Sequence, residues 1–237
     1  MKALWVEKYR PSTVDGYVFV DDQQRDQVKQ WIQDGSIPHL MLSGSAGTGK
    51  TTLAKLQINE LGVDQYDVMY ANGSKEARKV EWVDRLISFC QTMPFGRFKV
   101  VLIDEADYMN PNSVQPALRN LMEDYSQTVR FILTCNYVEK IIAPLISRSQ
   151  VFRLEPPAMK DVAVYVKTIL DNESVTYTMP DIASVTKALY PDIRKIVNFL
   201  QQSSTSDTLK LVDTQSANID LKNKLIISLF SPSIKRL

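Results

Sequence analysis

Apolar residues in this chain fall first into short unbroken runs and later into helical spacing only. Residues 37–43 (IPHLMLS) read as a buried strand running into a glycine-rich turn, and a helix is predicted from Lys50 to about Leu61, stopped by Gly62. Residues 67–71 form a second short strand. Ser74 is placed to cap a helix running to Cys90, with Val80, Val83, Ile87 and Cys90 as its buried stripe. Lys99 to Ile103 is a continuous apolar strand ending in Asp104-Glu105. Asn110-Pro111 opens a helix toward Tyr125, and Val129 to Thr134 is the next strand.

Strands that alternate with helices and are apolar on both faces predict an α/β fold, a parallel sheet covered by helices on each side. The pattern changes at Pro156-Pro157. No strand is predicted beyond it, and 162–170, 182–189 and 192–202 read as three short helices. The last carries Ile193, Ile196, Val197 and Leu200 on one face. A polar stretch, 203–207, precedes a final segment predicted to be helical over about 219–230.

Composition narrows the class without naming a chemistry. With 44 % hydrophobic and 23 % charged residues over 237 positions, the chain suits a large domain plus a smaller one. No apolar run approaches the ~20 residues that cross a bilayer, and no membrane partner is expected. The charged N-terminus MKALWVEKYRP lacks the apolar core of a signal peptide. Cys90 and Cys135 sit singly in apolar runs without zinc spacing, which predicts reduced core thiols and a cytoplasmic-type compartment. The net charge of +1 gives no notice of a nucleic-acid partner, so any such reading rests on local patches.

The chemistry lies in the glycine-rich turn. Gly44-Ser45-Ala46-Gly47-Thr48-Gly49-Lys50-Thr51 matches G-x-x-x-x-G-K-[ST], between a predicted strand and a predicted helix. The glycines let backbone N–H groups turn inward around phosphate. Lys50 is placed to reach the β- and γ-phosphates, the Thr51 hydroxyl to bind Mg²⁺, and Thr52 adjoins them. The helix start adds its positive end to the same anion. Asp104 ends the third strand at the sheet's carboxyl edge and is expected to hold Mg²⁺ with Thr51. Glu105 is placed to polarise a water for in-line attack on the γ-phosphate. Asn136, at the end of the strand ILTCN, can orient that water or touch the phosphate. ATP and Mg²⁺ are the implied cofactors.

The motifs fall in a particular order. Trp5-Val6-Glu7-Lys8-Tyr9-Arg10-Pro11 precedes the phosphate loop; Asp104-Glu105, Asn136, Ser147-Arg148-Ser149 and Pro191-Asp192-Ile193-Arg194 follow it. This series resembles the AAA+ sliding-clamp loaders, specifically replication factor C small subunits and the ATPase subunit of T-even-type bacteriophage clamp loaders. The likeness runs over about the first 200 residues. It implies an AAA+ nucleotide-binding domain over 1–155, a helical lid over 156–207, and a linker with the beginning of a collar domain over 208–237, cut short at Leu237. It also implies that Tyr9, Arg10 and Pro11 lie against the adenine end of the nucleotide and that Arg194 touches its phosphates. Arg148 is implied as an arginine finger acting in trans in a neighbouring subunit's site. Asn72 resembles a residue that restrains the catalytic glutamate until DNA binds, although Asn-Gly is also an ordinary turn. Ser149 stands where the family triplet ends in cysteine. Pro116, in a helix resembling a family helix that also holds Arg119, is expected to remove one helical hydrogen bond.

On a helical wheel Lys75, Arg78, Trp82 and Arg85 cluster away from the apolar stripe, a basic face suited to phosphate contacts. The resemblance makes that face and Arg119 candidates for primer–template DNA, gripped by shape rather than base sequence. The implied function is the ATPase subunit of a clamp loader in a five-subunit spiral, which opens a ring-shaped sliding clamp and loads it during replication. If phage-encoded, it would act in the host cytoplasm. A non-hydrolysing AAA+ adaptor and a helicase-loader or initiator ATPase are the alternatives. The sole histidine, His39, reads as structural.

Overall fold

A computed structural model describes residues 3–205 and 208–209. In chain order its helices are α1 (Trp5–Lys8), α2 (Asp22–Gln33), α3 (Lys50–Glu60), α4 (Val80–Gln91), α5 (Val114–Asp124), α6 (Ala143–Arg148), α7 (Met159–Asn172), α8 (Met179–Leu189) and α9 (Ile193–Ser203). The strands are β1 (Leu40–Ser43), β2 (Val68–Asn72), β3 (Lys99–Asp104), β4 (Val129–Cys135), β5 (Gln150–Arg153), β6 (Ser204–Thr205) and β7 (Thr208–Leu209). The chain divides into two compact units. One spans 10–157, and the other joins the residues up to Tyr9 to those from Ala158 onward.

The larger unit is the expected α/β fold. Its five strands are parallel in the order β2-β3-β4-β1-β5. Side chains alternate faces along a strand, so each strand feeds two cores. Val100 and Leu102 of β3 join Leu40, Leu42, Leu53 and Trp31 on the face covered by α2 and α3. Val101 and Ile103 join Met41, Phe131, Trp82 and Leu118 on the face covered by α4 and α5. The edge strand β5 and the helix α2 were not legible in the pattern; β5 is only four residues long and exposed at alternate positions.

Two expectations for this unit are corrected. The helix predicted from Ser74 begins at Val80, because Lys79 is extended (φ −97°, ψ 145°) and a separate turn occupies the residues before it. The buried stripe keeps Val83 and Cys90 but takes Trp82 and Leu86 in place of Val80 and Ile87. Trp82 is 3 % exposed whereas Val80 is 58 % exposed. The tryptophan belongs to the core and not to a basic face. Pro116 is the third residue of α5, where the N–H has no intrahelical partner in any helix, so it removes no hydrogen bond.

Gln115 beside it is buried and pins two loops. Its Nε2 donates to the carbonyls of Met109 and Lys140, and its Oε1 accepts from the Ile142 N–H. His39 has a structural part, since its Nδ1 accepts the Phe131 N–H at 3.1 Å. Cys90 and Cys135 are buried free thiols, pushed by that burial up to about 11 and about 12.

In the smaller unit α7, α8 and α9 enclose Val162, Val166, Ile182, Val185, Ile196 and Leu200. A capping box at Thr178 and Asp181 starts α8, and Asp192 caps α9. The N-terminal segment was expected with the nucleotide-binding region, but Trp5 is buried in this helical core. Its backbone N–H donates to Gln201, and Glu173 accepts from both Lys8 and Tyr9. A short antiparallel pair, β6 with β7, stands where no strand was expected. The helix predicted over about 219–230, and nearly all of 208–237, lie outside the described residues. Among the described residues no helix is long and apolar enough to cross a membrane.

Replacing a buried large aromatic by alanine costs about 3–5 kcal/mol, while surface changes stay within about 0.5 kcal/mol. Trp82→Ala is expected in the first range, read as a lowered urea midpoint.

Candidate active site

The carboxyl ends of β3, β4 and β1 lie side by side, and the three motifs sit on them. Gly44 follows β1 and its N–H donates to Cys135 O at 3.3 Å. The loop turns through left-handed backbone at Gly47 (φ 82°) and Gly49 (φ 87°), the region open to glycine. A side chain at Gly49 would also strike the ring of Tyr17 at 2.9 Å. The Tyr17 hydroxyl donates to Thr48 O at 2.9 Å, and burial raises its pKa. No side chain caps α3, so its first N–H groups are available to an anion.

Lys50 is buried and folds back over the loop. Its Nζ donates to Gly44 O at 2.8 Å, to Ser45 O at 2.7 Å and to Asn136 Oδ1 at 2.8 Å. Thr51 Oγ1 donates to Asp104 Oδ1 at 2.7 Å. Four sequence-predicted residues thus form two direct hydrogen-bonded pairs, Lys50 with Asn136 and Thr51 with Asp104. Glu105 follows Asp104 in left-handed backbone (φ 55°, ψ 44°), a conformation that costs a non-glycine residue about 1–2 kcal/mol.

Three supporting residues escaped the sequence reading. Thr134 Oγ1 donates to Asp104 Oδ1 and accepts the Glu105 N–H at 3.1 Å. Asp107 Oδ1 accepts the Asn136 N–H at 3.4 Å. Gly73 donates to Asp104 O at 2.7 Å, and a side chain there would meet the Glu105 carbonyl at 2.2 Å. Thr134 carried a signal: it is the polar residue inside the apolar strand ILTCN, on the same face as Ile132. Asn72 pairs in register with Asp104, but its Oδ1 accepts from the N–H and hydroxyl of Ser74, the hydrogen bonding of an Asx turn.

Other predicted residues lie apart. Arg148 ends α6, where it bonds Pro144 O and pairs with Glu123. It precedes Gln150, which pairs with Leu40 at the amino end of β1, whereas the phosphate loop leaves the carboxyl end at Ser43. The four-residue strand alone separates the two by about 13 Å along the sheet. Arg194 is exposed in the first turn of α9, in the helical unit. Tyr9 is tied into that unit through its hydroxyl to Glu173 and its carbonyl to Tyr165, while Arg10 and Pro11 begin the other unit. Lys75 lies in the turn before α4 and Arg85 on α4; both line a surface recess with Lys79, Glu76, Glu81 and Trp82. Arg78 lies in the turn preceding α4, so the four residues do not share one helix. Arg119, on α5, bonds the neighbouring Asn120.

The residues fit a magnesium nucleotide. Mg²⁺ in phosphate-transfer sites takes one or two protein oxygens together with phosphates and water. Adjacent Thr51 and Asp104 oxygens supply that set.

Comparison with known proteins agrees with this geometry. Residues 40–156 match the AAA family, "ATPase family associated with various cellular activities". The Replication factor C small subunit of Sulfurisphaera tokodaii is 39 % identical over 205 residues, covering 85 % of this chain and 62 % of that protein. Replication factor C small subunit 1 of Pyrobaculum aerophilum is 37 % identical over 238 residues, covering 98 % and 71 %. The chain thus spans roughly two thirds of the length of these curated relatives. Among solved structures, the RuvB Holliday junction branch migration motor of Thermotoga maritima superposes with a TM-score of 0.69 at 18 % identity, covering 94 % of this chain and 73 % of that one. That likeness concerns the fold.

A misplacement of ~1 Å at a reacting group costs on the order of 10²-fold in rate. Gly73→Ala pushes on the Glu105 peptide without touching the phosphate loop. The expected result is a fall of that order in ATP hydrolysis with fluorescent-ATP affinity nearly unchanged.

Proposed function

This chain belongs to the replication factor C small-subunit family of AAA ATPases, and on that premise we propose that it is the ATPase subunit of a sliding-clamp loader. ATP binding lets the assembly open a ring-shaped clamp and grip primer–template DNA. Hydrolysis to ADP and phosphate releases the closed clamp. The non-hydrolysing adaptor is disfavoured because Lys50, Asp104 and Glu105 are all present and Asp104 and Lys50 are already engaged with their partners.

The residues present support the following roles. The loop N–H groups and Lys50 bind the phosphates, and Thr51 with Asp104 holds the metal. Mg²⁺, when bound, offsets phosphate charge during transfer. Glu105 accepts a proton from the attacking water, and Asn136 orients that water or the γ-phosphate. By the family resemblance, Tyr9, Arg10 and Pro11 are assigned to the adenine end of the nucleotide and Arg194 to its phosphates.

The observation that carries the reading is the placement of Arg148 and the phosphate loop at opposite ends of one sheet. Arg148 is too far to serve its own loop, but a head-to-tail neighbour would meet it there. An arginine finger of this kind is worth roughly 10³- to 10⁵-fold in rate where it has been isolated.

Two surfaces suit the other partners. Tyr66, Met93 and Phe95 form an apolar tip, 68 %, 80 % and 80 % exposed, with the rings of Tyr66 and Phe95 5.9 Å apart. Buried Asp67 accepts the N–H groups of Phe95 and Gly96, so the tip has a fixed shape suited to an apolar pocket on the clamp. Lys75 and Arg85, with Arg78 and Arg119 as the weaker members, are assigned to DNA phosphates. Cytoplasmic action fits the buried free thiols.

ATP turnover is expected to rise most with clamp and primed DNA together, and Phe95→Ala to remove the clamp's share while sparing that of DNA; turnover indifferent to the clamp would overturn the reading. The shared site is tested by mixing. Glu105→Gln and Arg148→Ala chains should each be inactive alone. With random head-to-tail pairing, about a quarter of the sites in a 1:1 mixture combine an intact glutamate with an intact finger. Recovery of turnover on mixing is the expected result, and its absence argues against trans action.

A further inference from the structure

The hydroxyl of Thr134 is buried, 1 % exposed, at the point where β3 ends. The last paired rung is Ile103 with Leu133, so Thr134 stands beside Asp104 one residue further on. Both side chains fall on the α3 face, by alternation from Leu102 and Ile132. A hydroxyl has one proton and two lone pairs. Its proton goes to Asp104 Oδ1 at 2.5 Å, and its oxygen accepts the Glu105 N–H at 3.1 Å. One side chain therefore bridges the metal-binding carboxylate and the backbone of the catalytic glutamate.

That bridge falls where the backbone needs support. Glu105 is one of two described non-glycine residues at positive φ. Its own N–H is fixed by Thr134 and the preceding carbonyl by the Gly73 N–H. The direction of the Glu105 side chain follows from that fixed peptide. Thr51 donates to the same oxygen of Asp104, so the carboxylate plane is set by two hydroxyls from different elements.

We propose that Thr134 is a positioning residue for ATP hydrolysis, using one hydroxyl to orient Asp104 toward the metal and to hold Glu105 in its left-handed turn. It acts through those two carboxylates and does not touch nucleotide. The proposal rests on the ATPase reading above. A purely structural threonine would serve packing and stability, and its loss would lower stability without selecting the chemical step.

The test compares Thr134→Val, which keeps the shape and removes the hydroxyl, with Thr134→Ser, which keeps the hydroxyl. Glu105→Gln is the reference. Each full-length chain is assayed for single-turnover ATP hydrolysis, fluorescent-ADP affinity across a Mg²⁺ titration, and thermal midpoint. For the valine variant, hydrolysis should fall on the order of 10²-fold, the scale of a misplaced reacting group. Its ADP affinity without Mg²⁺ should be unchanged, and the Mg²⁺ needed for tight binding should rise. The serine variant should hydrolyse within about threefold of the parent, since it restores both hydrogen bonds.

Parental hydrolysis by Thr134→Val, with Glu105→Gln inactive, overturns the proposal alone. So does a valine variant rescued no better by serine, or one whose loss follows its thermal midpoint with an unchanged Mg²⁺ requirement. If Glu105→Gln itself hydrolyses at the parental rate, the catalytic assignment of Glu105 fails and this proposal fails with it.

Discussion

One carboxylate oxygen ties the catalytic end of the sheet together. Asp104 Oδ1 accepts a hydroxyl from Thr51, in the helix after β1, and another from Thr134, in β4. Three segments far apart in sequence are thereby fixed to a single atom, and hydrogen bonds to a charged acceptor are the stronger kind. The rest of the site depends on this junction. Thr51 sets the start of α3 against β3, and with it the direction in which Lys50 returns over the loop. Thr134 sets the Glu105 peptide. Removing the Asp104 carboxylate would leave two partly buried hydroxyls competing for other partners and free the glutamate turn from one of its supports.

The junction works because the sheet is parallel and in register. Parallel strands bring all their carboxyl ends to one edge, and the order β2-β3-β4-β1-β5 makes β3, β4 and β1 contiguous. The same geometry sends Arg148 to the amino edge through β5. A parallel sheet thus separates the phosphate-binding groups from the arginine by the length of a strand.

What could be read in the sequence is what alternation and backbone chemistry dictate locally. The apolar run of β3 and the glycines of the loop specify buried strand and phosphate turn without help from distant residues. Trp82 shows the opposite case. Its assignment to a polar face grouped it with Lys75 and Arg78 on one helix, but the extended backbone at Lys79 starts the helix at Val80 and leaves both cations off it. That break depends on Asn72, Ser74 and Glu76 bonding among themselves, a tertiary arrangement that no helical period reports. Trp5 was misplaced for a like reason, since four helical residues can bury an indole against whichever core offers space. Thr134 lay in between: a hydroxyl in an apolar strand marks an unusual position, but only register identifies its partners.

Lys50 links the junction to the far side of the site. Its ammonium donates to two loop carbonyls and to Asn136. A phosphate oxygen arriving in the loop offers a charged acceptor, and such bonds are roughly twice as strong as those to neutral partners. A phosphate oxygen therefore competes with these three oxygens for the ammonium, and whichever one it leaves must find another donor. Asn136 is the partner best able to respond, because it is a side chain at a strand end while the other two are fixed backbone. Its own N–H is held by Asp107, two residues beyond Glu105. Asn136 is thus tied to the turn that begins at Glu105. Hydrogen bonds through Lys50, Asn136 and Asp107 thus connect the loop to the segment that follows Asp104.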